Sequence, residues 1–403
     1  MKKTVLLFAF LLSASCLMAQ TYQPPKPVSA EVYNALAPTP PMGWNSWNKF
    51  GCDVSEQLLM KMADAMVASG MQAVGYRYII VDDCWQVARD SMGNILVDKD
   101  RFPHGIKYVV DYVHSKGLKF GIYSCAGELT CGGRPGSRGY QYQDARQYAQ
   151  WGVDYLKLDW CYNRGQNAEA AYRTMRDALK ASGRPIVLSI CEWGKNKPWE
   201  WGKGIGQLWR VSYDIRDMFE CNLNGGGLGV LNILDIMIPL DKYAGPGHWN
   251  DADMLEVGNG GMTETEYITH MSLWCMLATP LIAGNDLSTM DEKTKAILTN
   301  KEVIDINQDP LGMQAHLYAF FGSEKQVFVK KLANGDAAVC FLNRGEQPWN
   351  LDLAWEAIGG FDKKFTYTLH DVWKHKDVGT TAQPKIKSTI APHAVLMLRL
   401  IKH

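Results

Sequence analysis

Residues Val153-Asp154-Tyr155-Leu156-Lys157-Leu158-Asp159-Trp160-Cys161 form a short apolar run that ends on the carboxylate of Asp159. The pattern predicts a strand whose apolar residues are buried. Because side chains alternate along a strand, Lys157 and Asp159 lie on one face, and the cation favours an ionised Asp159 at neutral pH. Parallel α/β folds place their chemistry at the carboxyl ends of strands. Asp159 is therefore a candidate nucleophile, and a structural salt bridge at a strand end is the alternative.

The same unit repeats on both sides of this stretch. From Ser55 to about Gly183, helix-like segments end in glycine, a common helix terminator, and a short apolar strand follows each one. The glycines are Gly70, Gly117, Gly152 and Gly183, and the strands are Tyr76–Val81, Lys119–Tyr123, Tyr155–Leu158 and Pro185–Ile190. Four successive units predict an α/β fold, a (β/α)8 TIM barrel. A doubly wound sheet is the alternative, but no GxGxxG motif follows the first strand.

The chain has 403 residues, enough for a large domain and a smaller one. We expect a catalytic barrel over residues 36–310. Beyond it, short β-type runs and the hairpin turn signal Asn334-Gly335 predict a C-terminal antiparallel β-sandwich over residues 311–403. A structural role is favoured for this second domain, with carbohydrate binding as the alternative.

The N-terminus has the pattern of a targeting segment. Lys2 and Lys3 precede an apolar run from Val5 to Leu12, which is too short to span a membrane and predicts a signal peptide over residues 1–19. A Pro-rich, extended lead-in is expected over residues 20–35. The protein is therefore expected to be exported, either periplasmic or secreted. Lipoprotein anchoring through Cys16 is the less favoured alternative.

Composition argues against several classes of ligand. The 42 basic and 42 acidic residues balance, and without a basic run nucleic acid is not an expected partner. The ten Cys and nine His show no CxxC, HxH or HExxH spacing, so no metal site is predicted. No cofactor fingerprint is present either. Export would permit disulfides.

Acidic and aromatic residues follow the predicted strands in succession. Helix N-capping accounts for some of the acids, with Asp251 and Asp286 as the expected examples, but not for the aromatic residues that accompany them. A pocket of carboxylates and aromatic rings without metal ligands or a phosphate loop indicates glycoside hydrolysis. In strand order, the residues are Trp47, Asp82 and Asp83, Tyr123, Asp159, Cys191-Glu192-Trp193, Arg210 and Asp214, and Asp253.

Five motifs together resemble glycoside hydrolase family 27, the α-galactosidase family, from about Leu36 to Leu311. They are Pro41-Met42-Gly43-Trp44-Asn45-Ser46-Trp47, Asp82-Asp83-Cys84-Trp85, Lys157-Leu158-Asp159, Cys191-Glu192-Trp193-Gly194 and Trp249-Asn250-Asp251-Ala252-Asp253-Met254-Leu255. The resemblance implies a retaining, exo-acting α-galactosidase that releases terminal α-linked galactose from oligosaccharides or glycans.

The resemblance also implies roles for individual residues. Asp159 matches the family's nucleophile and Asp214 its acid/base. The residues implied to hold galactose are Trp47, Asp82, Asp83, Tyr123, Lys157, Arg210 and Asp253, with Cys191, Glu192 and Trp193 beside the second carbon of the sugar. The disulfides Cys52–Cys84 and Cys131–Cys161 are implied in the same way.

One position departs from the family pattern. Tyr213 precedes Asp214 where the family usually has Gly, and a bulky side chain there is expected to narrow the leaving-group side. An α-N-acetylgalactosaminidase and a β-L-arabinopyranosidase on the same scaffold are the nearest alternatives. A non-catalytic galactose-binding protein is the alternative from another class.

Overall fold

The computed structural model describes residues 25–403. Its first sheet has eight parallel strands that follow one another in chain order, with the eighth paired to the first. Between the seventh and eighth strands, Leu255 donates its N–H to the Ile282 carbonyl at 2.8 Å and accepts the N–H of Gly284 at 2.9 Å. The predicted TIM barrel is confirmed. Strands β1 to β8 are Met42–Asn45, Tyr78–Ile80, Lys119–Cys125, Tyr155–Asp159, Val187–Cys191, Leu208–Arg210, Trp249–Asp251 and Leu281–Ala283.

Helices connect the barrel strands and cover them on the outside. The α-helices are Ala30–Asn34, Trp47–Phe50, Glu56–Ala68, Ile106–Ser115, Gln141–Trp151, Ala168–Ala181, Pro198–Trp201, Val230–Met237, Glu264–Met276, Glu292–Leu298 and Lys301–Asn307. Short 3-10 helices are Gln72–Val74, Ile238–Tyr243, Leu287–Thr289 and Trp355–Ala357. A hairpin of Gln86–Arg89 with Ile95–Val97 follows β2.

The helix Glu56–Ala68 shows how the sequence determines these elements. The Ser55 side chain accepts the N–H of Leu58 at 3.2 Å, which satisfies one of the free donors at the helix start. The apolar side chains buried on the core face are Leu59, Met62, Ala63 and Met66. This is the face that the spacing of apolar residues predicts.

The second region is antiparallel and packs on the barrel. Strands β9 to β16 are His316–Phe321, Lys325–Lys331, Ala337–Asn343, Trp349–Ala354, Tyr367–Asp371, Lys376–Thr380, Lys385–Ile390 and Val395–Lys402. Six of them form one sheet in the order β9-β10-β11-β16-β13-β14, and β12 pairs with β15. Against the barrel, Trp373 donates its indole N–H to Ser272 at 2.8 Å. The predicted C-terminal antiparallel domain is confirmed.

The lead-in is not extended throughout. Residues Ala30–Asn34 form a helix, and the Ser29 side chain caps it by accepting the N–H of Val32. Tyr33 is buried and donates its hydroxyl to the Ile205 carbonyl at 2.9 Å. The prediction of an extended segment is therefore wrong for Ala30–Asn34. It relied on the Pro-rich composition and overlooked Ser29 as a helix N-cap.

The predicted signal peptide over residues 1–19, the start of the lead-in and Cys16 all lie outside the described residues. Among residues 25–403, no helix has the length and apolar character needed to cross a membrane.

Two disulfides join loops at the carboxyl end of the barrel. Cys52–Cys84 connects the segment after β1 to the end of β2, and Cys131–Cys161 connects the loop after β3 to the end of β4. Each pair has a Cα–Cα distance of 5.2 Å. Both predicted pairs are confirmed. The remaining cysteines within residues 25–403 are free thiols, namely Cys125, Cys191, Cys221, Cys275 and Cys340.

Replacing both Cys131 and Cys161 with serine should lower the free energy of unfolding by about 3 to 4 kcal/mol, because the bridge restricts the unfolded chain. Urea unfolding measures the loss. Cys221→Ser, at a half-buried free thiol, is the matched control and should change stability little. Non-reducing peptide maps that show Cys131 and Cys161 as free thiols in the exported protein would contradict the assignment.

Candidate active site

The carboxyl ends of the barrel strands surround one cavity, with about 390 Å³ of empty space that includes open solvent. It holds every residue predicted for the site except Asp83, Cys191 and Glu192. It also includes Asn48, Cys131 and Met254, which the sequence did not indicate as lining residues. The lining residues are Trp47, Asn48, Asp82, Tyr123, Cys131, Lys157, Asp159, Trp193, Arg210, Asp214, Asp253 and Met254.

Asp159 ends β4 and is only 6% exposed. Its Oδ2 accepts the hydroxyl of Tyr123 at 2.9 Å, and its Oδ1 accepts the N–H of Trp160 at 2.8 Å. Burial raises the pKa of Asp159 to about 6, although the charge of Lys157 opposes the shift. The carboxylate is therefore fixed in orientation and mainly ionised above that pH.

Lys157 shares the cavity with Asp159, as the alternation along β4 predicts, but its direct partner is a different acid. Its Nζ donates to Asp82 Oδ2 at 2.8 Å. Asp82 follows β2, and alternate barrel strands contribute side chains to one layer. The expected Lys157–Asp159 pair is thus replaced by a Lys157–Asp82 salt bridge. The charge of Lys157 still favours the ionised form of Asp159. It lowers the pKa of that carboxyl, whereas burial raises it by more.

Arg210 joins the acids on the other side of the cavity. The guanidinium is buried, and its Nη2 lies 3.0 Å from Asp214 Oδ1 and 2.9 Å from Asp253 Oδ2. Burial alone would raise the pKa of Asp214, but the charges of Arg210 and Lys157 outweigh it and hold that pKa below its usual value. The Asp214 side chain is 52% exposed, so it borders both the cavity and the solvent.

Asp83 points away from the cavity and holds a loop. Its Oδ1 accepts the N–H of Cys84 at 2.7 Å, and its Oδ2 accepts the N–H of Gly132 at 2.7 Å. Of the acid pair, only Asp82 lines the cavity.

Glu192 is likewise turned into the protein. Its Oε2 accepts both the backbone N–H of Asn196 at 2.7 Å and the side-chain amide of that residue at 2.6 Å. Burial raises the pKa of Glu192 to about 7. Cys191 is buried at the end of β5 with its thiol 3.9 Å from Arg210 Nη1. Of this motif, only Trp193 lines the cavity.

Three non-glycine residues around the cavity have left-handed backbone conformations. Cys84, Trp193 and Asp253 have φ values of 76°, 60° and 75°, which cost free energy for L-residues and persist where contacts enforce them. At Asp253, Oδ2 accepts the N–H of Ile215 at 2.8 Å, while its own N–H donates to Asp251 at 2.9 Å. These three residues lie beyond the ends of their strands. The directions of their side chains therefore cannot be predicted from the alternation along a strand.

The two acids expected to be helix caps behave differently. Asp286 does cap a helix, since its side chain accepts the N–H of Ser288 at 2.9 Å at the start of Leu287–Thr289. Asp251 does not, because it is buried in the barrel and accepts the N–H of Asp253. Burial raises the pKa of Asp251 to about 6.

Tyr213 does not line the cavity. Its ring is half-buried and lies 5.4 Å from the ammonium of Lys195, which is also 4.7 Å from the Trp193 ring. The expected narrowing of the leaving-group side by Tyr213 stays a prediction.

One cluster among the described residues has metal-like spacing, formed by Cys131, Asp159 and Cys161. The two cysteines are bonded to each other. They are not thiolate ligands in this state, so the cluster offers a metal only the Asp159 carboxylate.

Comparison with known proteins agrees with this geometry. The family model described as Alpha galactosidase A matches residues 39–309. The model of the Alpha galactosidase C-terminal beta sandwich domain matches residues 322–400.

Individual relatives resemble the chain over most of its length. Alpha-galactosidase A of Cellvibrio japonicus is 49% identical, with 99% of each chain covered. The structure of an α-galactosidase from Saccharomyces cerevisiae with raffinose has a TM-score of 0.88 at 33% identity, covering 92% of this chain and 99% of that one. A family 27 β-L-arabinopyranosidase from Geobacillus stearothermophilus has a TM-score of 0.81 at 26% identity, covering 93% and 98%. The chain belongs to glycoside hydrolase family 27, the α-galactosidase family.

Proposed function

We propose that this protein is an exo-acting, retaining α-galactosidase that hydrolyses terminal α-linked galactose from oligosaccharides or glycans. The observation that carries the proposal is a single cavity in which the buried carboxylate of Asp159 and the solvent-bordering carboxyl of Asp214 both face the space for one sugar. The 49% identity to an α-galactosidase along the whole chain supports it.

In the proposed first step, an Asp159 oxygen attacks the anomeric carbon of galactose while the bond to the leaving oxygen breaks. Asp214 gives its proton to that oxygen, and a covalent glycosyl-enzyme forms. In the second step Asp214 takes a proton from water, which displaces Asp159 and yields galactose of the original configuration. The hydrogen bonds from Tyr123 and Trp160 hold the nucleophile in place, which lowers the entropic part of the barrier.

The remaining cavity residues are assigned to the sugar. Asp82, Lys157, Arg210 and Asp253 present acceptors and donors to hydroxyl groups, and their mutual ion pairs fix their positions. The aromatic rings of Trp47, Tyr123 and Trp193 match the apolar faces of a sugar ring. A neutral sugar suits this wall because a hydroxyl both donates and accepts hydrogen bonds.

The alternatives are less favoured. The arabinopyranosidase relative is 26% identical to this chain, against 49% for the α-galactosidase relative. A non-catalytic galactose-binding protein would have no need for both Asp159 and Asp214 in one cavity.

We also propose that the protein is exported. Lys2, Lys3 and the apolar run that follows have the composition of a signal peptide. The two disulfides at the mouth of the barrel support an oxidising compartment.

Substitution of the two acids tests the mechanism. Asp159→Ala should abolish turnover of every substrate, whereas Asp214→Ala should spare aryl galactosides with good leaving groups more than melibiose, because only melibiose needs the proton. Asp286→Asn, at a helix cap, is the matched carboxylate control and should retain activity. Proton NMR of the first product should show α-galactose, and the β-anomer would refute retention.

The pH profile of kcat/KM tests the proton assignment. Below about pH 6 the pair holds one proton mainly on Asp159, because burial raises the pKa of Asp159 to about 6 while the charges of Arg210 and Lys157 lower the pKa of Asp214. The productive form, with that proton on Asp214, is a fixed fraction of the singly protonated pair and is lost with it as the pH rises. Activity should therefore be bell-shaped and fall above about pH 6. In Asp214→Ala with an activated substrate, only ionised Asp159 is required, so the rate should rise with pH and then level off. Because the charge of Asp214 raises the Asp159 pKa, this rise should lie below 6; a persisting alkaline decline would contradict the assignment.

Specificity is tested with three p-nitrophenyl glycosides. The α-galactoside should exceed the α-N-acetylgalactosaminide and the β-L-arabinopyranoside in kcat/KM by at least about tenfold. The Trp193 ring fills space that an acetamide needs. A substrate without the hydroxymethyl group cannot donate a hydrogen bond from that group to Asp82, at a cost of about 1–3 kcal/mol. Trp193→Ala should raise the relative rate on the acetamide substrate, while Trp199→Ala, outside the cavity, should not. Equal turnover of either competitor by the unmodified enzyme would overturn the specificity.

A further inference from the structure

Three side chains around the end of β4 have metal-like spacing and include the proposed nucleophile. One donor atom each of Cys131, Asp159 and Cys161 lies within 4.8 Å of the other two. Cys131 Sγ is 3.5 Å from Asp159 Oδ2. With the bridge closed, neither sulfur can bind a metal as a thiolate. With the bridge open, the same residues offer two thiolates and one carboxylate, which are ligands that Zn²⁺ commonly takes.

We propose that the reduced protein has a zinc site formed by Cys131, Cys161 and Asp159, and that zinc bound there inactivates the enzyme. Opening the bridge takes a dithiol reductant, which transfers two hydrogen atoms to the two sulfurs and itself becomes a disulfide. Zinc then replaces the two thiol protons, which pass to the solvent. The inactivation rests on the proposed function, in which Asp159 is the nucleophile, whereas the binding of zinc does not.

The distances suit a tetrahedral site. Zinc at about 2.3 Å from a thiolate and about 2.1 Å from a carboxylate oxygen places these two ligand atoms about 3.6 Å apart. The 3.5 Å between Cys131 Sγ and Asp159 Oδ2 is close to that separation. Only the two sulfurs have to move, to about 3.8 Å from each other. Three protein ligands leave the fourth position to water from the cavity, which Cys131 and Asp159 both line.

The loop that carries Cys131 is held at β4 by contacts other than the bridge. The backbone at Gly127 approaches the end of β4 so closely that a Cβ there would lie 1.9 Å from the Cys161 carbonyl oxygen. Next to Cys131, the N–H of Gly132 donates to Asp83 Oδ2 at 2.7 Å. These contacts do not depend on the disulfide. The two thiols should therefore stay beside Asp159 after reduction, and a site that is already assembled binds at a lower entropic cost.

This bridge is also open to a reductant. Cys131 is exposed and Cys161 is half-buried, whereas Cys84 of the other bridge is only 1% exposed. Access controls the rate of thiol–disulfide exchange, so Cys131–Cys161 should open first. In a reducing compartment the thiols persist, and zinc would hold Asp159 until export allows the bridge to close.

The experiment compares zinc binding by oxidised and reduced enzyme, with the reductant removed under nitrogen before the metal is added. The reduced form should bind one zinc per chain at this site, and cobalt in its place should show thiolate-to-metal charge-transfer absorption. Zinc at about ten times its dissociation constant should lower kcat/KM about tenfold. A chelator should restore the activity of the reduced enzyme. Galactose should compete with zinc, because both need Asp159. The oxidised enzyme should show none of these effects.

Substitutions identify the ligands. Cys131→Ser and Asp159→Asn should each weaken zinc binding by the reduced protein at least about tenfold, since changing even a residue behind a metal ligand has effects of that size. Cobalt absorption in Asp159→Asn reports the thiolates without relying on activity. Replacing both Cys52 and Cys84 with serine, or Cys221 alone, is the matched control and should leave the zinc affinity unchanged.

The outcomes separate the site from the function. If the reduced enzyme binds no zinc, or if Cys131→Ser binds it as tightly, the site is refuted whatever the enzyme does. If zinc binds through the thiolates but Asp159→Asn binds it equally well and activity is unaffected, the inactivation is refuted. If the oxidised, metal-free enzyme hydrolyses no α-galactoside, the proposed function fails, and zinc affinity and cobalt absorption still decide whether the site exists.

Discussion

Two cations with little exposure to solvent, Lys157 at 14% and Arg210 at 3% of the side chain, determine how the barrel can hold so many acids at one end. Lys157 pairs with Asp82, and Arg210 pairs with both Asp214 and Asp253. A buried charge without a partner is costly, so removing either cation would leave carboxylates uncompensated. The acid without a direct cationic partner is Asp159, which is instead held by two neutral donors. That difference explains why its pKa is raised while that of Asp214 is lowered.

The fold makes this arrangement possible because charged residues from separate parts of the chain meet at the carboxyl ends of the barrel strands. Lys157 and Asp159 come from β4, Arg210 from β6, and Asp82 and Asp253 from the segments after β2 and β7. Disulfides tie the loops after β1 and β3 to neighbouring strand ends. The result is one cavity whose charged lining residues are paired with one another.

The barrel and the position of the cavity could be predicted from the sequence. The directions and partners of individual side chains could not. The repeated helix-terminating glycines and apolar runs predicted the barrel. The acids that follow the strands predicted the position of the cavity. Side-chain directions beyond a strand end could not be predicted, because the alternation holds only within the strand. Asp83 and Glu192 both follow a strand end, and neither lines the cavity. The partner of Lys157 depends on contacts across the barrel. A groove beside the cavity combines residues 47–51 and 214–217 with Glu256 and Asn259, which no local pattern connects.

The most direct test of this account is to trap the covalent intermediate. A fluorinated galactosyl donor with a good leaving group should inactivate the enzyme. Fluorine beside the anomeric carbon slows both formation and hydrolysis of the glycosyl-enzyme, because both transition states resemble an oxocarbenium ion, and the good leaving group speeds only its formation. Peptide mapping by mass spectrometry should then find one sugar per chain, attached to Asp159. A label on another carboxylate such as Asp82 or Asp253, or turnover without any covalent adduct, would contradict the assignment of Asp159 as the nucleophile.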